Sequence, residues 1–310
     1  MTSLASLLAR EPWAVTDGAL ATELERAGFD TSGALWSARA LADAPELVRR
    51  VHRSYLAAGA DIVTSAGYQA SVPGFLAAGY GRREAERLLR LAVRLVKDER
   101  DACERASGRR ALAAASAGPY GAYLADGSEY RGRYGVSRRV LADFHRERLA
   151  LLMEEEPDLV AFETVPSLAE AEVLADALAP YPAGCAWISF SCADGRHTAA
   201  GDDVGDGAAL LDGVPQVAAI GVNCMAPADG ASLLRRMRER TAKPLLVYPN
   251  SGEVYDTARR CWTGRPADFE VLAPAWYDAG ARLMGGCCRT GPDTIRALVR
   301  ARNRMKGARA

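Results

Sequence analysis

The strongest constraint on this chain is a rhythm: short apolar runs alternate with longer stretches of helical spacing. The runs are WAVTDG (13–18), ADIVTS (60–65), ALAAAS (111–116), DLVAFE (158–163), CAWISF (185–190), QVAAIGVN (216–223), PLLVYP (244–249) and ARLMGG (281–286). Between them, residues 45–59, 83–100, 138–155, 167–178, 230–240, 266–280 and 292–305 carry apolar residues three and four apart, the period of an amphipathic helix. A weaker helical stretch covers 207–214. Strands that alternate with helices imply parallel βαβ units, closed into a barrel or laid out as an open doubly wound sheet. Eight strands favour the barrel. The open sheet also wants a Gly-rich turn after its first strand, and TDGALATELERAGF has one early glycine with an aspartate before it. The expected fold is therefore a single-domain (β/α)8 TIM barrel spanning residues 1–310.

In such a barrel the loops after the strands share one face, and reactive groups gather there. The ends of seven of the eight runs give Asp17-Gly18, Thr64-Ser65, Gly118-Pro119, Glu163-Thr164, Asn223-Cys224, Tyr248-Pro249-Asn250 and Gly286-Cys287-Cys288. Polar and sulfur-bearing residues thus fall at that rim. Cys224 from the sixth strand and the tandem Cys287 and Cys288 from the eighth match a catalytic zinc site, with three protein ligands and a fourth position open. Glycines 285 and 286 permit the tight backbone that turns consecutive side chains toward one ion. A redox dithiol, or a chance pairing in the packing, fits the 287–288 spacing as well. Cys103, Cys185 and Cys192 read as buried small hydrophobes, and Cys261 as a loop thiol. His52 and His145 sit in helical patterns and His197 in a polar loop, so none is a strong ligand candidate.

Composition excludes several other classes. Lys plus Arg equals Asp plus Glu at 39 each, so no global field recruits nucleic acid or an acidic membrane. No apolar run approaches the roughly 18 residues that span a bilayer, and the N-terminus lacks a signal-peptide pattern. Seven cysteines are odd in number and too few for a disulfide scaffold, which points to intracellular thiols and a cytoplasmic protein.

The segments TDGALATELERAG, LWSARAL, YQASVPGF, GPYGAYLADGSEYRGRYG, FETVPSLAEAE, GVNCMAP, YPNSGEVYD and GGCCRTGP occur in order from about residue 13 to 300. In this the chain resembles the zinc-dependent homocysteine S-methyltransferases. Residues 118–135 resemble most the branch that uses S-methylmethionine or S-adenosylmethionine. The resemblance implies a (β/α)8 barrel with Zn2+ on Cys224, Cys287 and Cys288, and methyl transfer from a sulfonium donor to homocysteine, giving methionine. It assigns Asp17 and Glu163 to the amino group of homocysteine, with the backbone at Gly18 and Ala19 available to its carboxylate. Ser65 is a further polar contact, although TSAGYQA departs here from the Thr-rich pattern of relatives. Asn223 orients the ligands, and Trp36 and Tyr68 match donor-side positions. Tyr120, Tyr123, Tyr130 and Tyr134 lie in the branch-specific segment, as donor contacts or as packing. Other readings remain open at this stage: betaine or another methylated donor, and a non-catalytic barrel that holds zinc or a thiol. A homo-oligomer is compatible with either.

Overall fold

The computed structural model describes residues 3–256 and 261–307, with only the backbone described for residues 254–256, 261 and 262. Cys261 therefore falls outside the described side chains. The eight expected strands are all present: β1 (Ala14–Val15), β2 (Ile62–Thr64), β3 (Leu112–Ala117), β4 (Leu159–Val165), β5 (Ala186–Phe190), β6 (Val217–Asn223), β7 (Leu245–Tyr248) and β10 (Ala281–Met284). They pair in parallel in the order β1-β10-β7-β6-β5-β4-β3-β2. A parallel bridge between Thr16 and Ile62 closes the ring. The chain folds as a (β/α)8 barrel. Between β7 and β10 lies an antiparallel hairpin, β8 (Val254–Asp256) and β9 (Cys261–Thr263), that the sequence rhythm does not announce.

The seam between β1 and β2 is fastened differently from the rest. The Asp61 N–H donates to the Val15 carbonyl (2.7 Å), and the Val15 N–H donates to Asp61 Oδ2 (2.8 Å). Arg302, on the C-terminal helix Pro292–Gly307, reaches across to the same Oδ2 and to the Trp13 carbonyl. Asp61 and Arg302 are both buried, so this ion pair stands in for ladder hydrogen bonds that two-residue β1 is too short to make.

Side chains alternate along each strand, and this parity sets what faces the barrel axis. Ala14, Ile62, Leu112, Ala114, Leu159, Ala161, Trp187, Ala219, Leu246 and Leu283 form the interior cluster, with Leu4 of the short N-terminal helix Leu4–Leu8 packed against it. The opposite parity (Val15, Val63, Ala113, Ala115, Val160, Phe162, Ile188, Ile220, Val222, Val247) packs against the helices in the larger outer core. Continuing the inward parity to the strand C-termini gives Thr64, Ser116, Glu163, Ser189, Asn223 and Tyr248. The barrel is thus apolar through its middle and polar at one end.

The observed helices keep the expected positions. Pro45–Ala58 ends on left-handed Gly59, Arg82–Ser107 runs seven residues past the expected end at 100, and Arg138–Met153 starts on a Ser137 cap. Shorter helices at Val72–Ala77 and Tyr120–Leu124 do not show in the sequence spacing, while Leu20–Arg26 begins directly after the Gly18-Ala19 turn. Cys103, Cys185 and Cys192 are only partly buried, each packed at the edge of the outer core rather than enclosed by it. Among the described residues no helix is long and apolar enough to cross a membrane.

Candidate active site

At the polar end of the barrel, three thiols converge. Cys224 Sγ lies 3.5 Å from Cys288 Sγ, Cys287 Sγ lies 4.0 Å from Cys288 Sγ, and all three sulfurs fall within 4.8 Å of one another. The backbone produces this convergence. Immediately after β6, Cys224 takes a left-handed conformation (φ 54°), rare for a residue with a Cβ, and its N–H is held by the Tyr248 carbonyl of β7 (3.2 Å). After β10 the chain runs so close to β1 that a Cβ on Gly285 would sit 1.8 Å from Thr16 Oγ1. Glycine is required there. Cys287 N–H then donates to the Pro249 carbonyl (2.7 Å), and Cys288 N–H to Asn250 Oδ1 (3.1 Å).

The cluster fits a metal ion on two counts. Tetrahedral coordination by sulfur at about 2.3 Å implies sulfur–sulfur edges of about 3.8 Å, and the separations of 3.5 and 4.0 Å bracket that value. The charge state points the same way. Hydrogen bonds from Cys224 and Cys287 hold Cys288 well below the usual thiol range, whereas hydrogen bonding to the other two sulfurs, with burial, pushes Cys287 well above it. Three thiolates this close repel one another, so ionising all three calls for a cation between them. Soft thiolate ligands select zinc and related ions over hard cations.

A network beneath the sulfurs fixes them. Asn223 is fully buried and does not line the cavity. Its Oδ1 accepts from the Thr164 N–H (2.7 Å) and Ser189 Oγ (2.9 Å), and its Nδ2 donates to Thr164 Oγ1 (2.8 Å) and points toward Cys287 Sγ (3.9 Å). Thr164, at φ 62°, is a β-branched residue in the left-handed region, a strain of about 1–3 kcal/mol that the double clasp to Asn223 offsets.

Beside the thiols stand two carboxylates. Asp17 accepts from the Thr64 N–H (2.7 Å) and hydroxyl (3.1 Å), and Glu163 accepts from Ser116 Oγ. Burial pushes Asp17 up to about 8 against the pull of the Thr64 N–H, with the charge of Glu163 adding to the rise. Burial likewise pushes Glu163 up to about 7, against hydrogen bonds from Ser116 and Tyr248. Two carboxyl groups so desolvated are ready to receive a cation. Both line a cavity of about 540 Å³ with Gly18, Ala19, Ser65, Trp36, Tyr68 and the three cysteines. Ser65 Oγ accepts from the Ser116 N–H (3.0 Å), and Trp36 meets Tyr68 edge to face at 6.3 Å. The sequence-derived residues are thus brought together, except that Asn223 stands behind the wall.

Residues 118–135 form a cover at one side of this cavity, which they line with Ala125, Gly127, Glu129 and Tyr130. Buried Glu170 accepts from the Tyr120 N–H (2.7 Å), the Tyr134 hydroxyl (2.7 Å) and His145 Nε2 (2.8 Å), gathering both ends of the segment on one carboxylate. Arg148 donates to the Gly118 carbonyl and to His145 Nδ1. Since Nδ1 accepts from Arg148, the network assigns the proton of His145 to Nε2, directed at Glu170. Burial lowers His145, which keeps the imidazole neutral. Tyr130 reaches inward from the segment until its hydroxyl lies 3.1 Å from Cys224 Sγ. Tyr120 and Tyr123 pack with Phe144 on the outside. Of the four loop tyrosines, Tyr130 meets the sulfur cluster, while Glu170 binds Tyr134. The contacts of Ser116, Thr164 and Tyr130 were not read from sequence, because each depends on which strand or loop lies alongside.

Residues 14–302 match the homocysteine S-methyltransferase family profile. The chain belongs to the homocysteine S-methyltransferase family. It is accordingly a methyltransferase. Homocysteine S-methyltransferase YbgG of Bacillus subtilis is 44% identical over 306 residues, covering 96% of this chain and 97% of that protein. Homocysteine S-methyltransferase 4 of Zea mays is 46% identical, covering 93% and 89%. The crystal structure of the homocysteine methyltransferase MmuM from Escherichia coli, in its metallated form, superposes with a TM-score of 0.87 at 42% identity over 95% of this chain and 98% of that chain. The family thus includes a member seen with metal, and the thiol cluster here is able to hold one.

Proposed function

We propose that the protein transfers a methyl group from a sulfonium donor, S-methylmethionine above all, to the thiol of homocysteine, giving methionine, with a zinc ion held by Cys224, Cys287 and Cys288. The observation that carries this reading is the sulfur triangle of zinc-ligand dimensions, set in one cavity with a carboxylate pair and an aromatic pair. Bound zinc supplies a site at which a thiol, ordinarily of pKa about 8.5, loses its proton near neutrality.

The chain's own residues do the rest. Asp17 and Glu163 receive the ammonium group of homocysteine, and the backbone at Gly18 and Ala19 meets its carboxylate. Ser65 uses its oxygen to hold Ser116, which leaves its hydroxyl proton for a substrate oxygen. Asn223 keeps Thr164 and the Cys287 sulfur in place and so acts as a positioning residue. Trp36 and Tyr68 offer ring faces and edges near the donor cation, an attraction of about 0.5–2 kcal/mol. In the transfer, a carbon–sulfur bond forms to homocysteine as the donor's carbon–sulfur bond breaks. The electron pair stays on the departing sulfur, which leaves as a neutral thioether and needs no acid. Alignment of the two sulfurs about the methyl group is then the main task, worth roughly 7–11 kcal/mol in favourable cases.

Residues 1–310 form one homocysteine-binding unit on this reading, and its six described free thiols suit a cytoplasmic setting. A donor panel tests the proposal. The purified protein should carry about one zinc per chain, and S-methylmethionine should outpace S-adenosylmethionine, whose adenosyl group is bulky, with betaine hardly used. Betaine in first place would overturn the donor assignment, and active protein without zinc would overturn the metal assignment.

A further inference from the structure

Two polar atoms at the cavity have no assigned work. Gln69 is 9% exposed; its Nε2 donates to the Ala122 carbonyl (3.0 Å), yet its buried Oε1 has no hydrogen-bond partner. Glu129, in the turn Ser128–Tyr130 of the covering segment, likewise has Oε2 buried and unpartnered. Both residues line the cavity, and among the described lining residues these are the buried side-chain polar atoms left without a hydrogen bond. Both flank one stretch of backbone: Gln69 bonds Ala122, and a Cβ on neighbouring Gly121 would lie 2.4 Å from the Glu129 N. The adjoining contact of Tyr130 with Cys224 ties this stretch to the sulfur cluster. Burial raises the Tyr68 phenol well above its ordinary value, and the charges of Cys224 and nearby Glu129 add to the rise. Nearby Arg131 pairs with Asp126 instead (3.6 Å).

We propose that Glu129 and Gln69 form the seat for the α-ammonium group of the methyl donor, and so select donors that carry an amino group. The inference rests on the sulfonium-donor reading above. Buried acceptors are rarely left unpaired in folded proteins, and two acceptors in one cavity, with no orphaned donor among its described lining residues, call for a ligand rich in N–H. A primary ammonium brings three such hydrogens and a charge for the carboxylate. The other carboxylates of the cavity are set apart: Asp17 is bound to Thr64 and Glu163 to Ser116, both at the strand ends, and Glu25 to the Thr31 hydroxyl. One cavity thus offers two ammonium seats, one for each amino acid. Betaine has no N–H and would leave both acceptors buried and unpaired, which penalises it.

The test compares S-methylmethionine with dimethylsulfoniopropionate, a sulfonium carboxylate without an amino group, in zinc-loaded parent, Glu129→Gln and Glu129→Asp. Glu129→Gln should raise the KM for S-methylmethionine about ten- to a hundredfold, the loss of one charged hydrogen bond. It should leave the homocysteine KM, metal content and melting temperature at parental values. The amine-free sulfonium should respond little, and Glu129→Asp should recover part of the loss. Calorimetric titration of S-methylmethionine into homocysteine-free protein should weaken in parallel. An unchanged KM for S-methylmethionine, or an equal loss for both sulfonium compounds, overturns the ammonium seat while sparing the donor reading. A parent that makes methionine from betaine and not from S-methylmethionine overturns both.

Discussion

The floor and the cover of this cavity are built by different means. The floor, with Cys224, Cys287, Cys288, Asp17 and Glu163, sits on strand ends, where parity and strand register decide which way each group faces. The cover, residues 118–135, has no strand to rest on. A side-chain cluster of Glu170, His145 and Arg148 holds it in place, fully inside the protein. A floor set by backbone pairing resists any single side-chain loss outside the groups that touch substrate or metal. A cover pinned by one carboxylate is open to a single substitution. Metal retention and donor handling should therefore separate under mutation.

The sharpest way to break that comparison is at the floor. Cys224→Ala, Cys287→Ala and Cys288→Ala should each lose bound metal and reduce methionine formation to background, while Cys103→Ala keeps both. Full metal content in the three variants, measured by elemental analysis, would remove the floor's assigned role. The next largest effect belongs to the cover. Glu170→Ala leaves Arg148 buried without its counter-charge and should cost about 3–5 kcal/mol of stability. It should expose residues 118–135 to protease and raise the donor KM more than the homocysteine KM, with metal retained. Metal loss in this variant would show that floor and cover are not separable.

A smaller effect sharpens the description of the floor itself. Asp17→Asn and Glu163→Gln should each raise the homocysteine KM about ten- to a hundredfold, with metal content and donor KM unchanged. The smallest effect is in pH. Asp17 at about 8 and Glu163 at about 7 lie above the ordinary carboxylate range that both return to on unfolding. The folded state therefore binds more protons between about pH 4 and 8, so the substrate-free protein should lose stability as pH rises through that window. Homocysteine affinity should run the other way, rising as the carboxylates ionise. Melting temperature followed against pH, with and without homocysteine, checks both signs; a rise with pH in the free protein would contradict the burial of the pair.

Much of the floor was legible because strands announce themselves. The apolar runs marked all eight barrel strands, with both carboxylates near the ends of their runs and the thiols directly after theirs. Asn223 was read as orienting the ligands, and it does contact Thr164 and approach Cys287, from behind the wall. What stayed hidden depends on neighbours distant in sequence. Ser116 becomes a partner of Glu163 only once β3 lies beside β4, and Tyr248 meets Ser189 only through the barrel interior. The hairpin of β8 and β9 has three-residue strands, too short to show a period. The short helix Tyr120–Leu124 was missed for a related reason: at five residues it is stabilised by tertiary contacts more than by its own spacing. The cover was visible as a family signature without any sign of what holds it.

The Asp61–Arg302 fastening at the seam gives the barrel a preferred line of opening. Elsewhere adjacent strands share two or more paired residues, but β1 and β2 meet through one bridge and the hydrogen bonds around a carboxylate. Arg302 belongs to the last helix, so fraying of the C-terminus removes the clasp from the seam. Amide protons at Val15 and Asp61 should then exchange with solvent well before those in the middle of β4, β5 and β6, where each strand is flanked on both sides. Because the clasp lies at the end of the strands away from the sulfur cluster, the two chain ends can part there as a local event while the thiols stay together.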